Sequence, residues 1–286
     1  MVGRGRRWAL ASAKSFPELS INSLDGRLAA ESVAVPRPGA TDRRGRPDAA
    51  TLTLPMLQLL NNIQHKDLRI VTQRGAQWGD DFMSAPATVD EFRRLQAHYP
   101  IVFQPDDKGG FVPTVLFGLE AGENLFLDGQ GWAADYLPLS VQRIPFAIGV
   151  ADDELRMMID PDSRRVSRGA EGEALFLPHG GLTDFTENAN AVLRALHEGL
   201  QATTDFVQTL IRYELLEPLV LDVERPDGSH GQLTGFHIIH EERLAGLSAD
   251  QVTLLHQADY LMPIYMAIAS LANFTSLIQR HLARGG

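Results

Sequence analysis

The chain has 286 residues, with 26 Lys and Arg against 36 Asp and Glu, and no cysteine. Hydrophobic residues at 44% and charged residues at 22% allow a sizeable core and exclude a collagen-like, coiled-coil or wholly disordered chain. The missing cysteines exclude a disulfide framework, a thiolate zinc site and a cysteine nucleophile, and a formal net charge of −10 argues against a general nucleic-acid binder.

The charge is uneven. Residues 1–55 hold nine basic and five acidic side chains, a net of +4, so the remaining 231 residues carry −14. This leader is rich in Arg, Ala, Gly, Ser and Pro, and Pro36-Arg37-Pro38-Gly39 and Gly45-Arg46-Pro47-Asp48 interrupt any regular element. Such a segment buries too little apolar surface to offset its ordering entropy, so the expectation is a disordered basic extension over 1–55. Behind Arg4, Arg6 and Arg7, the apolar run Trp8-Ala9-Leu10-Ala11 is cut short by Ser12 and Lys14, well below the length of a secretory h-region. With no recognisable signal peptide, the expectation is cytoplasmic residence.

From Met56 onward the pattern predicts a single α+β domain over 56–286. Leu68–Thr72 reads as a short strand. Thr88 is a good N-cap for a helix over Val89–His98, because Glu91 completes a capping box and Tyr99-Pro100 stops the helix. Ile101–Phe103 and Phe111–Leu119 predict two strands joined by a turn through Asp106-Asp107 and Gly109-Gly110. Asn124–Leu127 reads as a further strand, and Ile144–Val150 with Leu155–Ile159 as a hairpin around Asp152-Asp153.

The period then changes. Between Thr183 and Tyr213, apolar residues at Phe185, Ala189, Val192, Leu196, Leu200, Phe206, Val207, Leu210 and Ile211 recur in steps of three and four, which marks a long amphipathic helix. Leu219–Glu224 and Gln232–Ile239 alternate across Pro226-Asp227-Gly228-Ser229, a hairpin signal. Ser248 caps a helix through Leu255, and another runs from Asp259 to Leu282. Its apolar stretch Tyr260–Ala272 has 13 residues, short of the about 20 that span a bilayer, and reads as a buried core helix without a transmembrane segment. The fold class is thus mainly antiparallel sheet, with long amphipathic helices packed on it in the C-terminal half.

Several segments, in this order, carry a family resemblance. They are Tyr99-Pro100-Ile101-Val102-Phe103, the run from Phe117 to Asp128, Trp132 with Tyr136-Leu137-Pro138, and Gln142-Arg143-Ile144-Pro145-Phe146. They continue with Asp205-Phe206-Val207, Leu215-Leu216-Glu217-Pro218, Gly235-Phe236, Glu241-Glu242-Arg243-Leu244 and Ser270-Leu271-Ala272-Asn273. Together they resemble the SapC family of bacterial proteins, from roughly Leu68 to the C-terminus. The resemblance implies an association with surface-layer protein systems. It also implies genomic company with TonB-dependent receptors, flavin-dependent halogenases and cupin-type oxygenases. It supplies no catalytic residues.

The residues themselves contain no Walker loop, dinucleotide fingerprint or Gly-x-Ser-x-Gly elbow. The pairs Asp80-Asp81, Asp106-Asp107 and Asp152-Asp153 read as solvated turn aspartates. Strand alternation sends His237 and His240 to opposite faces, while His240-Glu241-Glu242 fits the His-x-acid half of an iron facial triad. Trp132, Tyr136, Arg143 and Phe146 form the candidate binding segment, since Trp, Tyr and Arg dominate hot spots and Arg can clamp a carboxylate. The competing reading has these aromatics pack a sheet edge while Arg143 satisfies buried carbonyls.

Two functional expectations follow. One is a non-catalytic accessory or binding protein of a bacterial envelope, surface-protein or peptide-modification system, with a protein or peptide partner, no nucleic acid and no cofactor. The other is a metal-dependent, oxygenase-like peptide-modifying enzyme, in which iron is held by His240 and Glu242 with a third ligand.

Overall fold

The computed structural model describes residues 57–151, 154–224 and 230–284. The disorder expected over 1–55, the Asp152-Asp153 pair and the Pro226–Ser229 turn lie outside the described residues. The first half of the chain forms β1 (Gln58–Leu59), β2 (Arg69–Ile70), β3 (Ser84–Pro86) and α1 (Phe92–Leu95). Next come β4 (Ile101–Pro105), β5 (Phe111–Leu116), α2 (Leu139–Gln142), β6 (Phe146–Ala151) and β7 (Glu154–Ile159). The second half holds β8 (Val166–Ser167), β9 (Glu173–Ala174), α3 (Asp184–Arg212), β10 (Leu216–Glu224) and β11 (His230–Ile239). It ends with α4 (Glu241–Ala245), α5 (Ala249–Gln257), α6 (Leu261–Ser270) and α7 (Asn273–Arg284). Antiparallel sheets with long helices in the C-terminal half make the fold α+β, as the sequence pattern predicts.

The described chain divides into two compact units, one with residues 73–142 and 194 onward, the other with residues up to 72 and 143–193. In the first, five antiparallel strands lie in the order β10-β11-β4-β5-β3. Central β4 is apolar on both faces, and Ile101, Val102 and Phe103 are all buried. The edge strand β10 is blunted by Pro218 and by a register shift between Leu219 and Leu221, which leaves Val220 59% exposed. Phe92, Phe206, Leu210, Phe236 and Ile264 belong to the core of this unit. Phe206 packs edge-on to Phe92 and Tyr260 at 5.9 and 5.3 Å. The buried Ser270 hydroxyl ends α6 by donating to Ala267 O at 2.6 Å and accepting the Ile101 N–H at 2.9 Å.

The second unit contains two three-stranded sheets, β1-β7-β6 and β8-β2-β9, and α3 through Leu193. Leu68, Ile70, Phe146, Ile159, Leu175 and Leu193 make its core. Arg165, only 1% exposed, donates from Nη1 to Val71 O at 3.0 Å, and the Val71 N–H returns to Arg165 O at 2.8 Å.

Three local expectations change. Asn124–Leu127 is not a strand: Asn124 Oδ1 accepts the Phe126 N–H, which bends the chain, and Arg280 and Arg284 take the carbonyls of Leu125 and Asn124. The predicted Val89–His98 helix is shorter, a 3-10 turn over Val89–Glu91 followed by α1, because the N–H groups of His98 and Tyr99 both turn back to Leu95 O ahead of Pro100. The last helix is two. Leu271 and Ala272 make tight i→i−3 bonds to Ile268 and Ala269, and the Asn273 side chain bonds Gln96 O, so α7 starts afresh. Leu261–Arg284, taken as one stretch, is long and apolar enough to cross a membrane by length and composition. Within it, Ile264, Ala267, Phe274 and Leu277 are core residues of the first unit.

Replacing Ser270 by Ala leaves the Ile101 N–H buried without an acceptor. Chemical denaturation of Ser270→Ala should therefore show a loss of about 1–3 kcal/mol.

Candidate functional site

The site is assembled around the turn that precedes α1. Burying a carboxylate is costly unless its lone pairs are filled. Glu91, 3% exposed, meets that condition. Its Oε2 accepts the Thr88 N–H and hydroxyl, each at 3.1 Å, and its Oε1 accepts the Tyr136 hydroxyl at 3.0 Å and the Leu139 N–H at 2.8 Å. The capping box read from Thr88 and Glu91 is present, and the same carboxylate also anchors residues 45 and 48 positions further along the chain. Ser140 donates to Pro86 O at 2.6 Å and so doubles the link.

Beside this network lies an aromatic cluster. The Trp132 indole N–H donates to Tyr99 Oη at 2.7 Å, and that hydroxyl donates to Tyr136 O at 2.5 Å. Phe117 packs edge-on to both Trp132 and Tyr99, at 4.9 and 5.2 Å, and Phe126 stacks parallel to Trp132 at 6.3 Å. Burial pushes the Tyr99 phenol above its ordinary pKa. For Tyr136, burial and then the Glu91 charge do the same. Both hydroxyls are thus held protonated, as donors. Trp132 and Tyr136 remain partly exposed, and the exposed Arg94 sets its guanidinium 5.4 Å from the Tyr136 ring centre.

Of the four sequence-predicted binding residues, Trp132 and Tyr136 share this network. Arg143 and Phe146 belong to the second unit. Phe146 is buried in its core against Phe185. Arg143 Nη1 donates to Phe146 O at 2.9 Å, Nε is shut from solvent with no hydrogen-bond partner, and burial lowers the pKa. Arg94 is the cation on Tyr136, and Arg280 sits 4.7 Å from the centre of the Phe126 ring that stacks on Trp132; the sequence reading did not single out Arg94. Its only signal was its place after the capping box.

The other candidates are also accounted for. His240 caps α4, with Nδ1 accepting the Arg243 N–H at 3.4 Å, and Glu217 lies 3.8 Å away. Glu242 follows on α4 and is exposed. Among the described residues, no three His, Asp or Glu side chains are grouped to hold a metal ion. His237 faces another way, edge-on to Phe111 at 4.7 Å, in agreement with the expected alternation. Asp80 is not a solvated turn residue: it is fully buried, and accepts the Gly75 N–H at 2.9 Å and the Arg74 guanidinium at 3.4 Å. Sequence reading also missed His281, 2.9 Å from Glu123 and 3.7 Å from Glu120, beside a cleft of about 20 Å³.

A family model described as SapC matches residues 60–277. The chain belongs to the SapC family. The matched region contains the whole Glu91–Tyr99–Trp132–Tyr136 network and stops short of Arg280, His281 and Arg284. No curated protein and no solved structure matches the chain. SapC membership therefore identifies kinship, and the chemistry must be argued from the site.

Removing the Glu91 carboxylate strands several donors at once. Glu91→Ala should lower the unfolding free energy by about 3 kcal/mol or more, and a denaturation curve within about 1 kcal/mol of wild type would contradict the account.

Proposed function

We propose that this SapC chain is a non-catalytic accessory or binding protein of a bacterial envelope, surface-protein or peptide-modification system. It meets a protein or peptide partner through Trp132, Tyr136 and Arg94. One observation carries this reading: the polar atoms of Trp132, Tyr99 and Tyr136 are engaged inside the fold. What Trp132 and Tyr136 leave for a partner is ring surface beside the exposed Arg94 guanidinium, the composition of a binding hot spot. Arg143 and Phe146 drop out of the contact set, since both serve the packing of their own unit.

Arg94 is the cleanest probe because it is exposed and its loss leaves the core intact. With the full chain as bait in a native lysate, Arg94→Ala should weaken capture of a retained partner by about tenfold or more, equivalent to at least about 1.4 kcal/mol. Trp132→Phe, which keeps an aromatic ring and removes the indole N–H that serves Tyr99, should weaken it less. If wild type and both variants retain the same partners equally, the surface is wrong.

The iron-dependent alternative rests on His240 and Glu242. Elemental analysis of purified protein should give iron far below one per chain. Near-stoichiometric iron that disappears in His240→Ala would overturn the accessory reading in favour of the enzyme.

A further inference from the structure

The turn following β1 closes around a histidine whose protonation state is fixed by its partners. His65 N–H donates to Asn61 O at 3.2 Å, and Asn61 N–H points back to His65 Nδ1 at 3.2 Å. A backbone N–H can only donate, so Nδ1 presents a lone pair and the ring proton sits on Nε2. Nε2 lies 3.2 Å from Gln58 Oε1, in β1. The imidazole is 2% exposed and bridges the strand and the turn. The Asn61 carboxamide holds the rest of the turn, accepting the N–H groups of Ile63 and Gln64 at 3.1 and 2.8 Å.

Among the described residues, β1 has few other contacts that hold it. Among the described residues it pairs with β7 at Gln58 with Ile159 and Leu59 with Met158, supplemented by the Leu60 N–H to Met157 O at 3.0 Å. A second ring proton would set an N–H donor against the Asn61 N–H, two like dipoles at hydrogen-bond distance. We propose that His65 is an acid-sensitive clasp: protonation of Nδ1 opens the Asn61–His65 turn and releases β1 from β7.

Arg168, just past β8, is the charged group that bears on the ring, and Lys66 and Asp67 beside it in the chain are exposed. Burial first, and the Arg168 charge with it, hold the His65 pKa below the ordinary 6.5 against an opposing contribution from the Asn61 backbone. The folded turn therefore binds the second proton less readily than the unfolded chain. The clasp is at full strength above about pH 6.5 and is lost as the pH falls through the depressed pKa.

The test uses the full chain. Histidine titration by two-dimensional NMR should give His65 a midpoint below the ordinary 6.5 of an imidazole. Below that midpoint, amide protection factors at Leu60 and Asn61 should fall by about tenfold per pH unit, one linked proton, while those in α6 hold. In His65→Asn, whose side-chain oxygen can accept the Asn61 N–H without titrating, the pH dependence should vanish. A His65 midpoint at or above 6.5 would overturn the clasp, as would wild-type protection at Leu60 and Asn61 that ignores pH. The same pH dependence persisting in His65→Asn would also overturn it.

Discussion

The first unit depends on one buried carboxylate. Moving an ionised carboxyl out of water costs several kcal/mol even after relaxation, and only good hydrogen-bond geometry on both oxygens offsets it. Glu91 receives four donors from three places: the turn at Thr88, the Tyr136 phenol and the first turn of α2 at Leu139. Residues far apart in sequence are thereby fixed against one another to within hydrogen-bond tolerance. Shifting any of them strands a donor. The same turn also receives α3. Thr203 Oγ1 accepts the Val89 N–H at 2.9 Å and donates to Gly199 O at 2.7 Å. Gly199 is small because it must be: a Cβ there would lie 3.0 Å from the Thr88 Cβ. A helix that could slide along a purely apolar surface is pinned at one register by a threonine and a glycine.

The second unit uses a cation where the first uses an anion. Arg165 is the largest of its fully buried side chains, and exchanges hydrogen bonds with Val71 through both guanidinium and main chain. Gly172, with φ +95°, brings its backbone against the Ile70 carbonyl, where a Cβ would approach to 2.5 Å. Its own carbonyl accepts from Arg69 at 2.8 Å. Strands of two residues are too short to be specified by ladder bonds alone, so side-chain to main-chain bonds carry the specification.

This division explains what could be read from the sequence. α3 is legible because a 3.6 period over 29 residues is a property of the helix itself, and the observed Asp184–Arg212 falls one residue inside each end of the Thr183–Tyr213 span. β4 is legible because a continuous apolar run predicts a strand covered on both faces. The capping box is legible because its partners are three residues apart. Asn124–Leu127 looked like a strand by composition, yet its conformation is set by Arg280 and Arg284, 155 and 160 positions away. Asp80 looked like a turn residue and is instead the buried acceptor of its own loop. Pattern shows which face of an element is apolar. It does not show which distant polar atom will meet it, and the candidate site consists of such meetings.

The same limit bears on Arg143 and Arg94. Arg143 lies among aromatics in sequence, and proximity in sequence is a fair guide only within one element. Arg94 sits 42 residues before Tyr136, and reaches its ring because Glu91, three residues earlier, holds the Tyr136 hydroxyl. On the proposed reading, a surface prepared in this way has little rotamer freedom left to lose when a partner binds. Ordering an interfacial side chain ordinarily costs about 0.5–1.5 kcal/mol, and Trp132 and Tyr136, held by hydrogen bonds within the fold, have incurred it during folding. On the proposed reading, saturation of these polar atoms works in favour of binding, because it fixes the partly exposed rings of Trp132 and Tyr136 beside the Arg94 guanidinium.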